Sequence, residues 1–241
     1  MSEENKAKSA EKPVKTLEQK EKTIEIIVAI FLGITALLTS WASWIGSLHG
    51  GNQSTNYTVS NNLSAEANSE YNTAMQNYMQ DMMIWNQINE VLLDQQFAEE
   101  SGDDLTAEKA EWRLDQLLND NVTDSFLDAI NWALEQEEAA SPFEMEGYVE
   151  SYFDTYYDLI EQSDETLEQG KKDNSNGDAF GLVTVIYSVV LFMLGIVGTF
   201  KNLPNRYIVL AFSIAGFLFA TIYMFTLPMP TGFSLSSFFG G

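Results

Sequence analysis

Three long apolar runs constrain this chain more than any other feature of its sequence. They cover residues 26–48, 180–200 and 208–227, and none of them contains Asp, Glu, Lys or Arg. A helix needs about 20 mostly apolar residues to cross the hydrocarbon core of a bilayer. The sequence therefore predicts an integral membrane protein with three transmembrane helices, at residues 24–48, 180–200 and 208–227.

A cleaved signal peptide is the alternative for the first run. The run is longer than the apolar core of a signal peptide, and no small-residue cleavage motif follows it. Trp41 and Trp44 lie near its far end, where interfacial aromatic anchors are common. We therefore expect an uncleaved membrane anchor.

The distribution of basic residues predicts the orientation of the spans. Residues 1–23 contain six Lys, and the short turn at 201–207 contains Lys201 and Arg206. Residues 49–179 contain only four basic residues, and the tail at 228–241 has none. Because Lys and Arg concentrate in cytoplasmic segments, we expect a multi-pass plasma-membrane protein with residues 1–23 and 201–207 in the cytoplasm. Residues 49–179 and 228–241 are then extracytoplasmic.

Negative charge is concentrated between the first two spans. Residues 49–179 contain 29 Asp and Glu, for a net charge of -25, whereas the whole chain carries -23. Such a surface repels phosphate, so nucleic acid is excluded as a partner. The chain has no Cys and a single His, His49, which excludes disulfides, thiolate chemistry and a multi-histidine metal site within one chain.

Helical periodicity dominates the acidic segment. Apolar side chains recur every three or four residues from Val59 to Leu92, which predicts a helix of about 40 residues. Shorter helices are predicted at 105–118 and 122–138. Ser141 and Pro142 then give a helix start signal for a helix that ends at Gly170 and the polar stretch 173–178. The predicted fold is all-α, with an extracytoplasmic antiparallel helical stalk or bundle inserted between the first and second spans; residues 1–23 are predicted to be disordered.

Two groups of side chains are candidate metal ligands. Thioethers such as those of Met75, Met79 and Met82 can bind Cu(I), and carboxylates such as those of Asp173 and Asp178 suit Ca²⁺. Helix packing explains the methionines equally well, and a polar turn explains the aspartates. We expect no metal and no cofactor.

Two further patterns involve small or polar side chains. Asn-x-Ser/Thr triplets begin at Asn52, Asn56, Asn62 and Asn121, which makes these residues candidate glycosylation sites. On the first span, small residues repeat at helical spacing and form either a helix-packing seam or the lining of a pore in an oligomer. This seam consists of Gly33, Ala36, Ser40, Ser43 and Ser47.

Several segments resemble an uncharacterised family of prokaryotic three-span integral membrane proteins, a domain of unknown function. The stretch from Ala36 to Gln53 resembles the end of that family's first span, where a Trp-containing helix end runs into a Gly-Gln or Gly-Gly-x-Gln turn. Ser141-Pro-Phe143 with Tyr148, residues 191–196, and Leu227-Pro228 resemble further segments of the family. The resemblance implies three spans with a helical extracytoplasmic domain, and it implies no activity.

No catalytic motif stands out in the sequence: G-x-S-x-G, a P-loop and H-E-x-x-H are all missing. We therefore predict a non-enzymatic integral membrane protein, a scaffold, a sensor or a subunit of a membrane assembly, that binds partners through its acidic outer stalk. The partners expected are the lipid bilayer and either a second copy of the chain, in a homo-oligomer, or another membrane protein. The alternatives are an oligomeric cation-permeable channel lined by the first span and a membrane enzyme.

Overall fold

The computed structural model describes residues 17–136 and 140–234, and this part of the chain is helical and contains no β-strand. Within these residues lie six α-helices and two 3₁₀ turns, the turns at Pro142–Glu144 and Val197–Thr199. The prediction of an all-α fold is confirmed. The α-helices are α1 (Leu17–Ser101), α2 (Asp104–Asn121), α3 (Asp124–Leu134), α4 (Tyr148–Ser151), α5 (Asp154–Ile196) and α6 (Leu203–Thr226).

The chain divides into two compact units, and α1 and α5 contribute residues to both. The membrane unit comprises Met1–Thr55 and Gln169–Gly241, and the acidic unit comprises Asn56–Glu168. The acidic unit contains 27 Asp and Glu against two basic residues, a net charge of -25. The net negative charge of the chain, -23, therefore comes from one unit.

The membrane unit contains the three apolar runs of the sequence. Helices α1, α5 and α6 are each long and apolar enough to cross a membrane. Buried side chains such as Ile45, Tyr187 and Leu194 pack between these helices. Large apolar side chains such as Leu37 and Phe212 remain exposed, which suits a lipid environment. These features indicate a multi-pass membrane protein.

Two glycines bring α1 and α5 into close contact. A Cβ atom on Gly46 would lie 3.2 Å from the Phe180 Cβ, and one on Gly177 would lie 3.4 Å from the Gly46 carbonyl oxygen. The predicted helix break at Gly170 and residues 173–178 is therefore wrong, because α5 continues through it. Gly177 serves close helix packing here rather than a turn.

The ends of the membrane unit's helices also differ from the predicted boundaries. Helix α1 begins at Leu17, so the prediction of disorder is wrong from Leu17 to Thr23, while residues 1–16 lie outside the described residues. Helix α1 also passes through Gly50 and Gly51 without a break. The predicted turn at 201–207 is shorter, because α6 begins at Leu203.

In the acidic unit, local capping interactions set the ends of the first helices. Helix α1 ends at Ser101, and Gly102 follows with a φ of +70°. The amides of Gly102 and Asp103 donate to the carbonyls of Glu99 and Ala98, which is a Schellman motif. Asp103 then caps α2 by accepting from the Thr106 amide. The hydrogen bonds from Thr106 also lower the pKa of the Asp103 carboxyl.

The predicted single helix after Ser141 is wrong. Ser141 does act as a cap, accepting from the Phe143 amide, but only a 3₁₀ turn follows. Gly147 then adopts a φ of +79°, a left-handed conformation that side chains disfavour, and interrupts the helix. The segment from 142 to 153 folds instead against the core of the unit, around Ile88, Phe126 and Tyr148.

Candidate functional site

The chain's single histidine links the three helices of the membrane unit. His49 lies in α1 and is 1% exposed. Its Nδ1 is 2.8 Å from Oδ1 of Asp173 on α5, and its Nε2 is 3.1 Å from the carbonyl oxygen of Pro228, just after α6. Gln169 donates to the other carboxylate oxygen at 3.2 Å, and the ring of Phe180 stacks on the imidazole. We call His49, Asp173 and Pro228 the histidine clamp.

Hydrogen bonds occupy both ring nitrogens of His49. A backbone carbonyl can only accept, so Nε2 donates to Pro228, and Nδ1 lies within hydrogen-bond distance of the Asp173 carboxylate. The clamp therefore offers no free nitrogen to a substrate or a metal.

The segment after α6 makes further contacts with α1. The Asn52 side-chain amide donates to the carbonyl oxygen of Thr231 at 3.1 Å. The ring of Phe233 lies edge-on against Trp41 and Trp44, with centroids 6.1 and 5.7 Å away. Together with the clamp, these contacts hold the chain beyond α6 against α1 between Trp41 and Asn52.

A second buried polar cluster lies in the acidic unit. Asp81 of α1 is buried, and one oxygen of its carboxylate accepts hydrogen bonds from the hydroxyls of Tyr148, at 2.8 Å, and Tyr152. The two phenolic oxygens also contact each other. We call these three residues the tyrosine cluster; it joins α1 to the segment that precedes α5.

The tyrosine cluster holds its two phenolic protons. Burial is the main cause that raises the pKa of Tyr148 and of Tyr152 above the ordinary value, and the hydrogen bond to Asp81 raises both further. Both hydroxyls therefore remain donors at physiological pH. Apolar rings surround them, with Phe126 stacked on Tyr148 at 5.9 Å. The cluster is suited to holding helices together rather than to proton transfer.

Trp112 on α2 is a large aromatic side chain exposed on the acidic unit. Its side chain is 63% exposed, and it lines two surface clefts of about 460 and 280 Å³. We call this region the Trp112 surface. Acidic residues border both clefts, and Arg113, which also lines the second, contacts Asp94 at 3.3 Å. The acidic residues lining the clefts are Glu90, Glu108, Glu111, Asp115 and Asp120.

The seam predicted on the first span faces away from the other helices. All five of its residues are exposed, and nothing lies within 4 Å of a Cβ built on Gly33. Ser40 donates to a carbonyl of its own helix, that of Ala36. The contact between α1 and α5 uses Gly46 and Gly177 instead. Whether the seam meets lipid or another chain stays a prediction.

Among the described residues, the candidate metal ligands are not clustered with further ligands. Met79 is exposed, and Met75 and Met82 are half-buried along α1. Asp173 is engaged by His49, and Asp178 accepts from Asn174 one turn earlier. Within residues 17–136 and 140–234, no group of three or more His, Asp or Glu is arranged to hold a metal.

The four candidate glycosylation sites lie on helices rather than loops. Asn52, Asn56 and Asn62 are in α1, and Asn121 is the last residue of α2. Asn62 and Asn121 are exposed, whereas Asn52 is half-buried and its amide is bonded to the carbonyl oxygen of Thr231. A sugar on Asn52 would break that bond, so the two exposed residues are the better acceptors.

Sequence reasoning missed both buried clusters. The partners of the clamp, His49 and Asp173, are 124 residues apart, and those of the tyrosine cluster are 67 and 71 apart. Their only signal in the sequence is polar residues at core-facing positions of amphipathic helices. No family model matches the chain, and neither a curated protein nor a solved structure shows significant similarity to it. Membership of the three-span family therefore stays a prediction that rests on the sequence segments alone.

Proposed function

We propose that this chain is a non-enzymatic integral membrane protein that binds a cationic protein partner through the Trp112 surface. The observation that carries the proposal is an exposed indole on a unit of net charge -25. Exposed Trp side chains surrounded by polar groups are typical of interaction sites, where aromatic anchors supply most of the binding energy. The partner that fits is a basic segment carrying an apolar side chain, such as one face of an amphipathic helix.

Electrostatics supports a cationic partner specifically. Glu108, Glu111 and Asp115 lie on α2 beside Trp112, and the surrounding unit has only two basic residues. A field of one sign speeds the encounter with an oppositely charged partner and rejects like-charged ones. The charge selects the class of partner, and the indole supplies the short-range contact.

The chain's one histidine supports a non-enzymatic role. Both of its ring nitrogens are hydrogen-bonded and the ring is buried. It could act as a general base on a bound substrate only after the histidine clamp had opened.

A defined peptide tests the proposal. The full chain in detergent is titrated with a fluorescent helical peptide of Lys and Leu, and binding is followed by anisotropy at low and at physiological salt. We expect Trp112→Ala to weaken binding about tenfold, the loss of a typical aromatic anchor. Tyr157→Ala is the matched control, because Tyr157 of α5 is 61% exposed and lies outside both clefts. Equal binding by the wild type and Trp112→Ala would refute the Trp112 surface as the site.

The proposal includes an orientation for the acidic unit. Lys-rich residues before α1 and the basic turn before α6 favour an extracytoplasmic acidic unit, arranged as an antiparallel helical stalk. The chain has no Cys, so single cysteines report exposure directly. A membrane-impermeant maleimide should label Glu111→Cys in intact cells and Lys201→Cys only after lysis. The reverse pattern would invert the topology.

An oligomeric channel is the second candidate. It is favoured by the exposed seam, since Ser43 and Ser47 lie on an exposed face of α1. In an oligomer such a face could line a cation pathway. Planar-bilayer recordings from a preparation of verified stoichiometry test it: cation currents that Ser43→Leu abolishes would support the channel, and a silent oligomer would eliminate it.

A further inference from the structure

A buried arginine lies at the opposite end of the membrane unit's helices from the clamp. Arg206, in the first turn of α6, has a side chain only 9% exposed. Its nearest ionic contact is long, 3.6 Å from an Nη atom to Oε1 of Glu25, and the Glu25 side chain is 66% exposed. The guanidinium Nε is buried and has no hydrogen-bond partner among residues 17–136 and 140–234. An incompletely paired buried guanidinium is costly, which points to a missing anionic partner.

A cavity of about 140 Å³ lies beside this guanidinium. Arg206 and Glu25 form its polar end, and the remaining lining is apolar. Glu25, Val28 and Leu32 lie on successive turns of α1, so the cavity follows the helix as a groove. The apolar lining residues are Val28, Ala29, Leu32, Val197 and Gly198. A groove with a cation at one end and apolar walls along its length matches an amphiphile.

The start of α6 adds positive potential at the same place. Asn202 occupies the N-cap position but makes no side-chain capping bond, and Pro204 lies in the first turn. The first backbone N–H groups of a helix are unpaired within it and carry partial positive charge. The start of α6 therefore favours an anion near Arg206. Lys201, next to the cap, is exposed, so water and salt screen its charge.

We propose that Arg206 and this groove bind one anionic phospholipid, with its phosphate on the guanidinium and an acyl chain along Val28 and Leu32. The phosphate replaces the long contact to Glu25, whose exposed carboxylate can turn to water. Arginine suits this role because its fork of N–H groups binds phosphate through two parallel hydrogen bonds. Basic pockets between membrane helices are suited to lipid head groups for the same reason.

The experiment uses the full chain in detergent, with bound lipid counted by native mass spectrometry. Phosphatidylglycerol is the anionic probe, phosphatidylcholine the zwitterionic one and inorganic phosphate the lipid-free one. We expect Arg206→Gln to weaken the tightest phosphatidylglycerol adduct about tenfold or more, as for the loss of charge-assisted hydrogen bonds. Lys201→Gln is the matched control, since it removes the same charge from an exposed residue of the neighbouring turn, and it should change binding less than threefold.

A second variant tests the groove without touching the arginine. Gly198 lines the cavity, and no atom lies within 4 Å of a Cβ built there, so Gly198→Leu should fold and fill the groove. We expect it to reduce phosphatidylglycerol binding while leaving the unfolding temperature in lipid-free detergent unchanged. Glu25→Gln, which removes a competing carboxylate, should strengthen binding.

Three outcomes would overturn the proposal. Wild-type lipid binding by Arg206→Gln or by Gly198→Leu would show that the lipid lies elsewhere. Equal binding of phosphatidylcholine would show that net lipid charge plays no part. Displacement of phosphatidylglycerol by an equal concentration of inorganic phosphate would identify a free-phosphate site instead of a lipid site.

Discussion

Removing the Asp81 carboxylate should destabilise the acidic unit more than any other single truncation of a charged side chain within it. Asp81 accepts hydrogen bonds from both Tyr148 and Tyr152, and buried hydrogen bonds to a charged group contribute about 1.5–3 kcal/mol each. Asp81→Ala loses both bonds and leaves the two hydroxyls with only each other as hydrogen-bond partners. We expect the free energy of unfolding to fall by about 3–5 kcal/mol.

Hydrogen exchange of the full chain in detergent measures this loss locally. Amides of α1 near residue 81 and of residues 148–156 should exchange about 100-fold faster or more in Asp81→Ala, because about 1.4 kcal/mol corresponds to tenfold. Glu150→Gln is the control, since Glu150 is exposed two residues from Tyr152 and its substitution also removes one negative charge. It should leave protection within about twofold, as for most surface changes.

Non-additive effects of substitutions in the tyrosine cluster provide a second, independent test. Tyr148→Phe and Tyr152→Phe each remove one hydroxyl from a shared carboxylate oxygen. Residues in one network couple by about 0.5–3 kcal/mol, so the double variant should deviate from the sum of the two single effects. Strict additivity, or an Asp81→Ala variant as protected as Glu150→Gln, would refute the argument that the three groups act as one buried unit.

The other predictions concern pH, the clamp and helix packing. Because the pKa of Tyr148 and of Tyr152 is raised on folding, the stability they contribute is complete below pH ~10 and falls above it by up to about 2.7 kcal/mol per pH unit; thermal unfolding from neutral to alkaline pH should show a steeper loss than in the double Phe variant. His49→Ala should lower the free energy of unfolding by about 3 kcal/mol, since it removes the imidazole partner of a buried carboxylate, and differential scanning fluorimetry measures the loss. Gly46→Leu should lower the unfolding temperature of the detergent-solubilised chain, whereas Gly33→Leu, with open space around it, should leave it unchanged.

The membrane helices could be predicted from sequence because their signal is local. An uncharged apolar run long enough to span a bilayer allows few other folds, and α1, α5 and α6 follow the three runs. Periodicity also predicted helices near the observed α2 and α3. What failed was the prediction of where helices end, at residues 173–178 and after Ser141.

Those failures share a physical cause. The stretch 173–178 has turn-like composition, but its polar and small residues are used in tertiary contacts, with Asp173 bonded to His49 and Gly177 packed against Gly46. After Ser141 the opposite holds, since helical periodicity continues but Gly147 adopts a left-handed conformation. At residues 173–178 tertiary contacts outweigh local propensity, and after Ser141 the φ angle of Gly147 does so. Neither the contacts nor the angle can be read from a single sequence.

The buried polar groups have a common role that apolar packing cannot supply. Apolar faces of two helices can slide past each other by a turn at small cost, whereas a buried hydrogen-bonded pair is satisfied in one register only. Each unit has at least one such pair joining α1 to the chain around α5: His49 with Asp173 in the membrane unit, and Ser60 with Ser163 in the acidic unit. Because these buried groups are already hydrogen-bonded to each other, they are not available to bind a partner. Binding then depends on side chains that are exposed or incompletely paired. Trp112 and Arg206 are such groups, and for that reason binding is proposed at those two residues and not at the buried clusters.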